Sequence, residues 1–435
     1  MLKSIALLLL VVATWCGPAS AQTIAGRWQT TYFSASTGRE TWFILDISQE
    51  KGRLSARRYE LDSIEPTAAS KIMFEKRKLA VSIGDDTFTG ELSADGGRVA
   101  GQMTAGGTSF PLAFDRATPA TGWPFPPKPH AIQTITMDDG VKLEVVDWGG
   151  SGRPILFLAG MTATAHVFDA FAPQLGAKGH VYGVTRRGWG ASDKPDPAAG
   201  GDYTTERLGK DALAVIDALH LDKPVLVGWS YGGAEMSYVA SRAPGKVSGL
   251  VYLEGGYAYA FYAPGNYEPR GANLTMDASD LRAKIARALA AQSSDEAAAI
   301  IRDLLETNLP QLEADLHAAD QVLREDPNVW PRPAPQSLQD RVAAAVAAGY
   351  MKLPAPKVPV LAIFADPSFM FPGMTPAEQE SYRRSQARAS EVVNRFEAGN
   401  PGARIVRLPN ARHAIFMFAG PDVLREMNAF FDGLD

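Results

Sequence analysis

Cysteine is almost missing from this chain. Cys16 is the only one among 435 residues, so no disulfide within the chain is available and stability must come from core packing. There is no run of Lys and Arg either. The 43 basic residues are outnumbered by 48 acidic ones, for a formal charge of −5, which speaks against nucleic acid or an anionic membrane surface as partner. Beyond the first 21 residues no apolar run approaches the roughly 20 residues a spanning helix needs, so no membrane span is expected. No Gly-x-Gly-x-x-Gly follows a strand-like segment, and no His/Asp/Glu spacing suggests ligands. Neither a cofactor nor a metal is therefore expected.

What is present begins with a segment shaped like a secretion signal. Lys3 supplies positive charge, residues 5–12 an apolar stretch, and Ala19-Ser20-Ala21 a small-residue cleavage site. Residues 1–21 are accordingly read as a signal peptide, and the product as periplasmic or secreted. Residues 22–116 then alternate apolar and polar positions in short runs, such as Thr41-Phe43-Leu45-Ile47, Leu79-Val81-Ile83 and Phe110-Leu112-Phe114. Gly84-Asp85-Asp86, Asp95-Gly96-Gly97 and Gly106-Gly107 supply turns. This predicts six to eight antiparallel strands forming a small barrel or sandwich. With Gly26-Arg27-Trp28 and its strand spacing, the segment resembles a module found ahead of exported bacterial hydrolases.

Residues 117–130 hold five prolines and predict a stiff extended linker. From 131 to 435 strand-like runs alternate with Ala-rich helical stretches such as 208–219, which predicts a mostly parallel sheet. Ile155-Leu156-Phe157-Leu158, Val225-Leu226-Val227, Leu250-Val251-Tyr252-Leu253 and Val360-Leu361-Ala362-Ile363 are its buried strands. Between about 255 and 356 the strands stop and helices take over, as in a cap folded over a sheet. Tyr257, Tyr259, Phe261 and Tyr262 open that cap, either lining an apolar pocket or packing a hinge.

The chemistry concentrates where the buried strand ending Val225-Leu226-Val227 runs into Gly228-Trp229-Ser230-Tyr231-Gly232. A serine in a tight strand-to-helix turn has its hydroxyl lifted clear of the sheet, and only glycines fit beside it. A serine hydroxyl needs a base within hydrogen-bond reach. Of six histidines, His130, His166, His180, His220 and His317 fall in the linker, at element ends or on a cap helix. His413 follows a late strand-like run and the loop Pro409-Asn410-Ala411-Arg412, and is the candidate base. For the orienting acid two strand-end carboxylates compete: Glu254, one strand after the serine, and Asp366, after the late strand.

These segments together resemble the α/β-hydrolase family over roughly residues 131–435. Arg187-Gly188-Trp189-Gly190-Ala191-Ser192 is similar to its Arg-Gly-x-Gly-x-Ser segment, and Pro409-Asn410-Ala411-Arg412-His413 to its histidine loop. Leu158-Ala159-Gly160-Met161 stands where the family carries a His-Gly oxyanion turn, with Ala159 in place of histidine. The resemblance implies a helix-capped α/β fold, Ser230 as nucleophile, His413 as base, and the Met161 and Tyr231 amides as oxyanion donors. In many relatives the acid follows the late strand as Gly-x-x-Asp, and that register puts Ser368 at the acid position. Asp366 lies two residues early, so Glu254 is the favoured acid and Asp366 the alternative. The implied activity is hydrolysis of a small-molecule carboxylic ester through an acyl-enzyme on Ser230. An aminopeptidase, lactonase or cofactor-free perhydrolase would use the same fold, and a binding protein that has lost catalysis is the reading from another class.

Overall fold

The computed structural model describes residues 23–34, 39–60, 66–105, 108–118, 130–262, 272–325, 337–370 and 374–434. Residues 1–21, and most of the proline-rich stretch, lie outside them. The chain separates into two compact units, 1–60 with 65–123 and 61–64 with 124–435.

In the first unit the alternating runs become one antiparallel sheet of nine strands. They are Gly26–Ser34 (β1), Arg39–Glu50 (β2), Arg53–Glu60 (β3), Thr67–Ala68 (β4), Lys71–Glu75 (β5), Lys78–Ile83 (β6), Asp86–Leu92 (β7), Arg98–Ala105 (β8) and Thr108–Arg116 (β9). Their order is β4-β3-β2-β1-β9-β8-β7-β6-β5, a single curled sheet in half-barrel form rather than a sandwich. Nine strands exceed the expected six to eight because β4 has only two residues and leaves no alternation to read. Leu79, Val81 and Ile83 all point into one core with Trp28, Phe88 and Phe114, as a period of two requires. Trp28 is fully buried, donates from Nε1 to the Ile24 carbonyl at 2.8 Å, and carries the Arg116 guanidinium 4.1 Å over its ring.

The second unit is built on eight strands: Ala131–Thr136 (β10), Lys142–Gly150 (β11), Pro154–Leu158 (β12), His180–Thr185 (β13), Val225–Trp229 (β14), Gly249–Leu253 (β15), Val360–Phe364 (β16) and Arg404–Arg407 (β17). Their order is β10-β11-β13-β12-β14-β15-β16-β17. The pairs from β13 onward to β17 are parallel, while β11 pairs antiparallel with both β10 and β13. The parallel strands read as continuous apolar runs because both faces are covered. Val225, Val227, Val251, Leu253, Leu361 and Ile363 fill one face, and Leu226, Leu250, Tyr252, Ala362 and Phe364 the other.

Helices cover both faces. Thr205–Ala218 (α1) starts on Thr204, whose hydroxyl accepts from the Arg207 N–H, and Gly232–Arg242 (α2) follows β14 directly. Between β15 and β16 lie Ala272–Leu289 (α3), Ser294–Asp303 (α4), Leu309–Glu325 (α5) and Leu338–Ala348 (α6). A five-residue π-helical stretch, Leu304–Asn308, joins α4 to α5. Ser293 caps α4, and Ser337 with Asp340 forms a capping box at α6, the side-chain acceptors that helix starts need. Pro376–Gly399 (α7), Ile415–Phe418 (α8) and Gly420–Asp432 (α9) complete the unit. None of the described helices is long and apolar enough to cross a membrane.

Candidate active site

The parallel arrangement brings the ends of β12, β14, β15 and β16, and the loop after β17, to one edge. Ser230 sits between β14 and α2 at φ +50°, a left-handed conformation that side chains other than glycine adopt at a cost. The flanking glycines make it possible. A Cβ on Gly228 would lie 2.6 Å from the Gly232 carbonyl carbon, and one on Gly232 would lie 2.2 Å from the Leu158 carbonyl oxygen. Either would drive backbone into backbone. Ser230 donates its N–H to the Leu253 carbonyl at 3.1 Å, which ties the turn to the end of β15.

Glu254 follows that strand end, also at φ +50°, and is 4% exposed. Three donors hold its carboxylate. The Ala365 N–H reaches Oε1 at 2.5 Å, and the Tyr257 hydroxyl reaches Oε2 at 2.8 Å. The third is His413, whose Nδ1 lies 3.1 Å from Oε2. Burial, reinforced by the Glu254 charge, pushes the Tyr257 phenol well above its ordinary value, so it stays a donor. His413 itself is half exposed, and its backbone is anchored: Trp229 Nε1, one residue before Ser230, donates to the His413 carbonyl at 2.9 Å. Their rings lie 5.4 Å apart.

Asp366 is occupied elsewhere. It accepts from the Ser390 hydroxyl and is ion-paired to Arg407, which also reaches Glu397 at 2.7 Å. Of the two competing carboxylates, the structure brings Glu254 to His413. The other histidines have other surroundings. His180 pairs with Asp147 at 2.7 Å, His317 is exposed on α5, and His220 lies just past α1 at φ +52°. The four cap-opening aromatics pack against the body of the unit: Tyr257 on Glu254, Tyr259 5.7 Å from the Tyr231 ring, and Phe261 against Phe396. Tyr262 donates to Asp277 and Asp315.

The turn after β12 lies against the serine. A Cβ on Gly160 would come within 3.1 Å of the Trp229 ring and 3.4 Å of Ser230 Cβ. Met161 follows it, and Tyr231 is the residue that leads into α2. Neither backbone N–H donates to any acceptor among the described residues.

Two groups were missed in the sequence. The first is Arg186, the residue before Arg187 in the Arg-Gly segment, which is 4% exposed and donates to the carbonyls of Ala159, Gly160 and Met161. Its only sequence signal was a second arginine beside the motif arginine. Arg187 is itself buried and paired with Asp211 and Asp139 at 2.6 and 2.7 Å. The second is a cluster around His166. His130, His166 and Asp169 bring potential metal-ligand atoms within 4.8 Å of one another. There His166 Nδ1 meets Asp169 at 2.9 Å and Nε2 faces Glu144 at 3.4 Å. Burial alone would lower the His166 imidazole, but hydrogen bonds to the two carboxylates and their charges outweigh it and push it up to about 9. The imidazole is thus clamped between two carboxylates.

Residues 153–379 match the α/β hydrolase fold family. The chain belongs to that family. Among curated relatives, this α/β hydrolase is 37% identical over 126 residues to the AB hydrolase superfamily protein YisY of Bacillus subtilis, covering 28% of this chain and 44% of that one. It is 37% identical over 125 residues to a non-heme chloroperoxidase of Streptomyces lividans, covering 28% and 43%. The matches thus span less than half the length of either relative. An esterase from Exiguobacterium antarcticum superposes with a TM-score of 0.43 at 18% identity, over 69% of this chain and 99% of that one.

Proposed function

We propose that this α/β hydrolase is an exported serine hydrolase that cleaves carboxylic esters of small molecules through an acyl-enzyme on Ser230. The observation that carries the reading is the contact between His413 Nδ1 and the buried Glu254 carboxylate at 3.1 Å. It fixes the imidazole tautomer with Nε2 as the acceptor, and Ser230 is raised on a left-handed turn at the same edge of the sheet. In this scheme His413 takes the Ser230 proton as Oγ adds to the ester carbonyl, and the carbonyl oxygen becomes an oxyanion held by the Met161 and Tyr231 amides. His413 then returns the proton to the departing alcohol. Water, deprotonated by the same imidazole, releases the acid and regenerates Ser230. Glu254 orients the imidazole and stabilises the imidazolium formed in both steps.

Fluorophosphonate labelling of the purified protein tests the nucleophile, and a panel of p-nitrophenyl esters, lactones and aminoacyl amides tests the substrate class. Labelling lost in Ser230→Ala, with ester turnover above the other two classes, supports the reading; an unlabelled wild-type protein overturns it. The similarity to a non-heme chloroperoxidase favours perhydrolysis as the second reading, with hydrogen peroxide resolving the acyl-enzyme in place of water. Peracid formation from ester and peroxide separates the two. Export rests on the composition of residues 1–21, and N-terminal sequencing of protein recovered from the periplasm or medium tests it.

A further inference from the structure

One of the three carbonyls that Arg186 holds belongs to the peptide unit that carries the Met161 N–H, in the turn that lies against Ser230. In a trans peptide the C=O and N–H of one amide point in opposite directions. The Gly160 carbonyl shares its amide with the Met161 N–H, and it accepts from Arg186 Nη1 at 2.9 Å. The Ala159 carbonyl accepts from Nη2 at 2.7 Å, and the Met161 carbonyl from Nη1 at 3.2 Å. One guanidinium therefore fixes three consecutive peptide planes of the turn, and it turns the Met161 N–H away from itself.

The same side chain reaches the other half of the hole. Its guanidinium carbon lies 5.0 Å from the centre of the Tyr231 ring, within cation–π range, and Tyr231 supplies the second backbone donor. Its Nε pairs with Glu235, in the first turn of the helix that Tyr231 leads into. Both partners are nearly fully buried. Taking two charges out of water is expensive, and a buried pair of this kind is weak evidence for stability. What it delivers here is geometry, because only a planar fork can serve three carbonyls and a carboxylate at once. A hydrogen bond donated to a carbonyl also polarises its amide and strengthens the opposite N–H as a donor.

We infer that Arg186 is the positioning residue of the oxyanion hole, which aims and strengthens the Met161 N–H while its guanidinium packs on the Tyr231 ring. It does so in a turn where Ala159 stands in place of the family's histidine. The inference rests on the acyl-enzyme reading above.

The test compares Arg186→Lys with Glu235→Gln by steady-state kinetics on an activated ester, by fluorophosphonate labelling rate and by thermal unfolding. Lysine keeps the charge but loses the fork. Its kcat should fall roughly 10- to 100-fold, part of the loss seen when a whole oxyanion donor is removed. KM should stay within about threefold, since the ground-state carbonyl barely uses these donors. Labelling should slow in parallel with kcat, and a trifluoromethyl ketone, which forms an oxyanion at the serine, should lose affinity by the same factor. Glu235→Gln keeps an acceptor for Nε and the three carbonyl bonds, so it should lower Tm while leaving kcat within about threefold.

Loss of kcat in step with Tm across both variants, or a folded Arg186→Lys with wild-type kcat and labelling, overturns the inference. If the lysine variant does not fold, Arg186→Met combined with Glu235→Met leaves no unpaired buried charge and is read against the same criteria. A wild-type protein that fluorophosphonate does not label fails the acyl-enzyme reading itself. Labelling equal in wild type and Arg186→Lys fails only the role of Arg186.

Discussion

The backbone N–H of Ala365 donates to Glu254 Oε1 at 2.5 Å, so the end of β16 serves the carboxylate of the neighbouring strand. Asp366, one residue on, is committed to Arg407 and Ser390. Glu254→Gln should therefore reduce kcat by roughly 10⁴-fold, the cost of losing the favoured tautomer and the partner of the imidazolium. Asp366→Asn should reduce it less than about tenfold, because Arg407 retains Glu397 and the site retains its acid. Paired kinetics on an activated ester, with Tm recorded for both, decide the matter. A larger loss at Asp366 would reassign the acid.

Ser230 separates chemistry from stability. Both Ser230→Ala and Ser230→Gly should lose on the order of 10⁶-fold in kcat, but their unfolding should differ. Alanine keeps a Cβ at φ +50°, whereas glycine relieves a strain of about 1 kcal/mol. The glycine variant should melt above the alanine variant in calorimetry. Equal or reversed melting temperatures would mean that the turn stores no such strain.

The link from Trp229 to the histidine loop predicts a positioning effect. Trp229→Phe keeps the ring packing against Phe168 and Phe416 but removes the donor to the His413 carbonyl. One such hydrogen bond is worth about 1 kcal/mol, and a loosened base should cost roughly tenfold in kcat. KM should hardly change. Unaltered kcat in a folded variant would show that the loop is held without this bond.

His166 sets a pH dependence of stability. Its folded value of about 9 lies above the roughly 6.5 of a free imidazole, so its contribution is complete below pH 6.5. It fades between 6.5 and 9 as the unfolded and then the folded form gives up the proton. The full effect is on the order of 3 kcal/mol. Melting temperature should fall by several degrees across this interval, and His166→Gln should flatten that part of the profile. A wild-type curve already flat from pH 6.5 to 9 would mean the clamp does not hold a proton.

The eight-stranded fold was legible because its parallel strands are buried on both faces and so read as unbroken apolar runs, Val225–Trp229 and Val360–Phe364 among them. The turn that carries Ser230, the candidate nucleophile, was legible because it admits only glycine on either side. His413 could be separated from five other histidines by its place after the last strand. The acid stayed open between Glu254 and Asp366, because both end buried strands and what divides them is three-dimensional. Ala365, Tyr257 and His413 converge on one carboxylate, while Arg407 and Ser390 claim the other. Arg186 was invisible for a similar reason. Its partners at Ala159, Gly160 and Met161 are backbone carbonyls more than twenty residues away, which leave no mark on the identity of any side chain. The two-residue β4 was missed because two residues cannot display a period.

That shortness of β4 bears on how the protein behaves in crowded solution. A sheet that is not closed offers a row of unused hydrogen-bonding groups at its margins, and a second molecule can add to them to start a fibril. On one margin β4 covers Arg57 and Arg58 of β3 with Thr67 and Ala68, a strand too short to template another by itself. On the other, β5 has five residues and begins and ends with the opposite charges of Lys71 and Glu75, which an incoming strand would have to accommodate. Short or charge-ended margins of this kind work against polymerising through the sheet.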